Sequence, residues 1–161
     1  GLQLCSSFII LLNFPRFGKM KGMGQIITYS IRDESLHVEA MTKLFREFIQ
    51  ENIDLWTDEF KKEIYQSCRD MVDLEDRFLE LVFQMGDIEG LTKEDMKKYI
   101  RYIADRRLLQ LGLKPNYNVK DNPLDWLDDV LGVEHQNFFE GRATTYMKAG
   151  LRGDASKVSF A

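Results

Sequence analysis

The chain reads as an all-α protein, a bundle of long helices, on three observations. Apolar residues recur every three or four positions over most of its length, which is the helical period. No stretch alternates apolar and polar residues for long enough to make a useful strand. Only 3 prolines and 11 glycines occur in 161 residues, which leaves room for long uninterrupted helices.

The elements follow in order. Residues 2–14 are apolar almost throughout and predict a buried helix, interrupted by Pro15 and Gly18. That run falls short of the ~20 apolar residues a bilayer span needs. No basic segment precedes it and no cleavage site follows, so a signal peptide is not expected either. Met20–Gly24 is flexible by composition. From Gln25 to about Gln50, Ile27, Ile31, Glu34, Leu36, Met41, Leu44, Phe45 and Phe48 mark a helix. A linker over Glu51–Thr57 ends in Thr57-Asp58, a suitable N-cap. Phe60, Ile64, Cys68, Met71, Phe78, Leu81 and Val82 then form one long stripe that Gly86 and Gly90 break. Thr92-Lys93-Glu94-Asp95 resembles a capping box with Asp in place of Glu. Behind it Met96, Tyr99, Ile100, Ile103 and Leu111 share a face, and Gly112 with Pro115 is a helix stop. Asp121–Pro123 is a turn, Pro123–Leu127 a short helix and His135–Ala149 another. Residues 1–149 are expected to form one domain and residues 150–161 a flexible tail.

Composition narrows the function classes. The 26 acidic and 22 basic residues give a net charge of −4 and a pI near 5.3, which speaks against nucleic-acid binding. Cys5 and Cys68 are far apart with no Cys-x-x-Cys, so neither a disulfide framework nor a zinc module is expected, and a reducing cytoplasm is the default. The chain opens on Gly with its apolar run already under way, which reads as the later part of a longer protein.

The sharpest local feature is Arg32-Asp33-Glu34-Ser35-Leu36-His37. Glu34 and His37 stand at i and i+3, so a carboxylate and an imidazole project from one helix face about one turn apart. Such a pair can ligate one metal ion. In di-metal carboxylate bundles two helices each give a Glu-x-x-His pair and two more each give a Glu. Taken alone, the pair reads more readily as a solvated i,i+3 pair or a buried histidine beside an acid. The apolar stripe carrying Ile27 and Ile31 places Glu34 where an unpaired carboxylate would be costly. No second Glu-x-x-His occurs, because Gly132 stands three before His135, and no acid occurs before Asp33. Two of the six ligands of a full site are therefore in view.

Several blocks carry a resemblance. Phe17-Gly18-Lys19-Met20-Lys21-Gly22-Met23-Gly24-Gln25 is followed by Ser30-Ile31-Arg32-Asp33-Glu34-Ser35-Leu36-His37. Then come Tyr102-Ile103-Ala104-Asp105-Arg106-Arg107-Leu108, Asn122-Pro123-Leu124-Asp125-Trp126 and Asn137-Phe138-Phe139-Glu140-Gly141-Arg142-Ala143-Thr144. Together they resemble the C-terminal half of the small subunit of class I ribonucleotide reductase.

The resemblance implies a ferritin-like helical fold holding a di-iron or manganese-iron centre. That centre generates an oxidising equivalent that the large subunit uses to make deoxyribonucleotides. Glu34 and His37 match the family's second Glu-x-x-His pair, as metal ligands. Asp33 matches a carboxylate in the hydrogen-bond path between the metals and the partner subunit; on its own it reads as a surface or capping acid. Tyr146 falls where the family relays the radical between subunits, against an ordinary amphipathic tyrosine, and Phe160 could anchor the tail in the large subunit. Leu4 and Phe8 would line the dry pocket near the metals, or serve simply as core. The complete small subunit is expected to be a homodimer, with no nucleic-acid or membrane partner. The resemblance puts the remaining carboxylate one residue ahead of Gly1. It puts the first Asp, the first Glu-x-x-His and the radical-site residue further upstream, so this chain alone is expected to be inactive. Two alternatives stand beside this: a related ferritin-like ligand-binding oxidase, and a non-catalytic helical interaction module in which Glu34 and His37 are incidental.

Overall fold

The computed structural model describes residues 4–130. Four α-helices, α1 (Cys5–Arg16), α2 (Lys21–Glu51), α3 (Asp58–Gln84) and α4 (Lys93–Gln110), account for most of them. Residues 125–130 are again helical, and the described residues contain no strand beyond an isolated Ile88–Leu91 bridge. The all-α expectation holds for all of these residues. The expected helix over His135–Ala149, Tyr146 and the tail lie outside them.

α1 turns Ser6, Ile9, Leu12 and Asn13 inward, a one-face spacing. Leu4 at its N-cap is in the left-handed region (φ 69°) and offers no side-chain cap. The cap comes instead from α3: the buried Glu75 carboxylate accepts hydrogen bonds from the Ser6 amide (2.8 Å) and the Ser6 hydroxyl. An anion is thus set against the positive end of the helix. Pro15 does not break α1; it sits in the last turn, near the end of the helix. Gly18 (φ 73°) then reverses the chain while its amide and that of Lys19 return to Pro15 and Phe14 carbonyls.

The glycine-bearing segment expected to be flexible is helical, since α2 starts at Lys21. The reason is packing. A Cβ at Gly24 would lie 2.2 Å from Pro15 Cγ, so the absent side chain lets the two helices meet there. Ile27 and Ile31 of α2 pack against the core beside this contact. At its far end Ile49 is buried, and a 3₁₀ turn at Ile53–Leu55 leads out. Phe45, Trp56 and Phe60 form an aromatic trio with centroids 5.9–6.4 Å apart, which moors that end to the start of α3.

Thr57 caps α3 as predicted, its hydroxyl accepting from Phe60 N at 3.1 Å. Cys68, Val72, Glu75 and Leu79 form its buried face. The predicted stripe is therefore rotated: Phe78 and Leu81 are exposed. Thr92 and Asp95 form the expected reciprocal cap of α4, with Asp95 N to Thr92 Oγ1 at 3.1 Å and Thr92 Oγ1 to Asp95 Oδ2 at 2.7 Å. Ion pairs fix the pairing of α3 with α4. Asp76 holds Arg101 through both oxygens, while Glu80 holds Lys97 and Lys93. The partners run backwards in sequence, so the helices are antiparallel. Met96, Ile100, Ala104 and Leu108 of α4 meet Ile9, Leu12, Val72 and Leu79, and Leu113, Leu124 and Leu127 close the core.

Candidate metal half-site

α2 is held at both ends. Its first half lies on α1 and its last turns on the aromatic trio; between these its middle spans an open groove of about 540 Å³. Glu34, His37, Val38, Met41 and Thr42 line the α2 side. Ile64, Cys68 and Met71 of α3 and Arg107 and Leu108 of α4 line the other.

Glu34 and His37 are one turn apart on this wall, with His37 Nδ1 3.9 Å from Glu34 Oε1. Their side chains are 58% and 73% exposed. The expected burial of Glu34 is therefore corrected. The stripe of Ile27 and Ile31 faces the core, and Glu34 is turned off it into the groove, where water solvates its charge. Asp33 is also exposed, turned about 100° around the axis from Glu34.

Whether the pair suits a metal ion can be judged from its donors. Carboxylate oxygen and imidazole nitrogen are both common ligands of first-row metals, at roughly 2.0–2.2 Å each. Two adjacent donors on one ion stand closer together than 3.9 Å, and both side chains have the solvent space to rotate. The pair fits as part of a site. It is not a whole one: among the described residues no group of three or more His, Cys, Asp or Glu could hold an ion.

Leu4 and Phe8 do not line this groove. Leu4 is exposed and Phe8 half-buried, because α1 turns Ile9 and Leu12 inward instead. The opposite wall, with Ile64, Cys68 and Met71, comes from the α3 stripe, which was visible in the sequence as a stripe but not as a wall. Arg107 stood in the sequence only within a block that carries the resemblance, with no role of its own, because nothing local reveals which way a charged residue near a helix end will turn. Tyr146 lies beyond the described residues.

Helices that present a Glu-x-x-His pair to an interhelical groove have part of the arrangement of a ferritin-like di-metal bundle. The family model for the small chain of ribonucleotide reductase matches residues 1–123. The chain belongs to that family. It is 47% identical over 156 residues to the "Probable ribonucleoside-diphosphate reductase small subunit 048L" of Invertebrate iridescent virus 3, covering 96% of this chain and 42% of that one. It is 36% identical to the ribonucleoside-diphosphate reductase subunit beta of Chlamydia pneumoniae, covering 93% and 43%. The solved ribonucleotide reductase R2 subunit from Clostridium botulinum superposes with a TM-score of 0.74 at 31% identity, over 78% of this chain and 40% of that one. The chain thus spans less than half the length of these relatives. No helix of the described residues is long and apolar enough to cross a membrane.

Proposed function

We propose that this chain is the C-terminal portion of a ribonucleoside-diphosphate reductase small subunit and carries part of its di-metal centre. The observation that supports this best is the Glu34–His37 pair on the groove wall, in a chain of this family. Glu34, as a carboxylate, and His37, through a neutral imidazole nitrogen, would ligate one ion. Asp33, next to Glu34, would accept hydrogen bonds in the path that links the centre to the partner subunit. Whether iron or manganese with iron, the bound pair supplies an oxidising equivalent, which the large subunit uses to reduce ribonucleotides. Tyr146 would relay that equivalent, and the tail would dock on the large subunit. The complete small subunit would work in the cytoplasm as a homodimer. The choice over a ligand-binding oxidase rests on the relatives, which are named as reductase small subunits.

The test is a hybrid in which the upstream part of the Chlamydia relative is joined ahead of Gly1. The hybrid should bind two metal ions per chain and form an oxygen-dependent radical. His37→Ala should lose at least one ion per chain, measured by metal analysis of the purified protein, together with the radical signal. Full metal occupancy in His37→Ala would refute the ligand assignment.

A further inference from the structure

A second cavity, of about 400 Å³, lies on a different face of α4, apart from the groove that Glu34 and His37 line. Tyr102, Arg106 and Leu109, at helical spacing, form one wall, and Pro115, Val119 and Lys120 of the following loop form the other. Asp105 builds it. Its carboxylate accepts from the amides of Asn116, Tyr117 and Val119 and so folds the loop back along α4. Asn118, in the left-handed region (φ 57°), turns the chain between the last two. With the Asp105 charge taken up by three amides, two cations stay unmatched. Among the described residues neither Arg106 nor Lys120 forms an ion pair, and no other carboxylate lines the cavity. Arg106 Nη1 donates to the Tyr102 hydroxyl at 2.6 Å, with the guanidinium 5.4 Å from that ring's centre. This holds Arg106 at the wall and leaves its other N–H groups to a ligand. Leu109 is 57% exposed.

We propose that this cavity seats the chain's own Phe138-Phe139-Glu140, a stretch beyond the described residues. A phenylalanine ring packs against Tyr102, Leu109 and Val119, and the Glu140 carboxylate pairs with Arg106 and Lys120. The chemistry of the walls supports this. An aromatic ring beside aliphatic surface favours an aromatic guest, and a guanidinium fork favours a carboxylate that it can grip through two oxygens. Within residues 131–161, 138–140 is the one place where an aromatic side chain stands next to an acidic one. The reach also suits. Val130, the last described residue, packs against the core. Its helix lies close to the cavity: burial pushes the Tyr99 hydroxyl's pKa up, Cys5 and Asp128 push the same way, and the Tyr99 and Tyr102 ring centres are 6.0 Å apart. From Val130 to Phe138 the chain can extend about 27 Å. The inference uses no metal and no large subunit, so it and the reading above can fail separately.

The test is limited chymotrypsin digestion of the full chain, with mass spectrometry reading the initial rate of cutting after Phe138 and Phe139. The reference is a free synthetic peptide of residues 131–145. Docking should make the cut about tenfold slower in the chain than in the peptide. Arg106→Ala and Lys120→Ala should each speed it about threefold. Leu109→Asp should bring it close to the peptide's rate, about tenfold faster than the parent chain. Arg106, Leu109 and Lys120 are all exposed, so circular dichroism should show the helices unchanged in each variant. Arg106→Glu and Glu140→Lys should each remove the protection, and the two together should restore it in part. Equal rates in chain and peptide, or protection that survives all of these substitutions, would overturn the proposal. So would charge reversals that fail to rescue each other, or protection lost on tenfold dilution, which would mean that a second copy supplies the segment.

Discussion

Asp105 is buried, and its two oxygens accept from the backbone amides of Asn116, Tyr117 and Val119 at 2.8–2.9 Å. One carboxylate thereby shapes the loop after α4. Asp105→Ala would strand three amides and should cost about 3 kcal/mol or more in urea denaturation; Asp105→Asn, which keeps one acceptor oxygen, should cost less. Burial pushes the Cys5 thiol up to about 12, and the nearby Glu75 carboxylate pushes the same way. The folded pKa lies above the ordinary value of 9.0, so folding favours the protonated thiol. That contribution is complete below pH 9 and drains away as pH rises towards 12. At pH 8 the native protein should therefore leave Cys5 unmodified by a thiol reagent, while urea-unfolded protein reacts at both cysteines. Rapid native labelling of Cys5 would contradict this. Asp105 entered the sequence reading only within a resembling block and Glu75 not at all, and the role of neither was legible, because each serves amides that folding brings to it, Glu75 from 69 residues away.

At the scale of elements, the caps were legible because their chemistry is local. Thr57 and Thr92 each serve an amide three residues on. The α2 start was not legible, because a Gly-rich composition signals flexibility until a neighbour requires the glycine. Gly24 and Gly22 separate the two cases. Gly24→Ala drives a methyl into Pro15 and should destabilise by about 2 kcal/mol. Gly22→Ala meets nothing within 4 Å and should stabilise by roughly 0.5 kcal/mol, by stiffening the unfolded chain. Thermal denaturation of the pair reads both signs. The α3 stripe was read with its face turned, since an apolar stripe on a helix can meet a core on one flank and an open groove on the other. Only the tertiary contacts of Val72 and Leu79 decide which flank is inside.

At the scale of the whole molecule, the all-α class and the Glu34–His37 pair were readable in advance, because both depend on short-range spacing. The groove was not, because its walls bring together residues from three helices. Its openness accords with a chain spanning 42% of the length of its viral relative. With two donors in view, the isolated chain should form no oxygen-dependent radical when supplied with ferrous iron. Electron paramagnetic resonance checks this, and a clear signal from the chain alone would show that the site is complete without further ligands.

The mooring of α2 at both of its ends has a mechanical consequence. A helix of 31 residues is a rod about 46 Å long, and a rod pinned at both ends does not swing like a door. A visitor to its midsection would find a slot of nearly constant width and would have to match that width from the outset. Selection there would favour rigid, well-fitted guests over pliable ones.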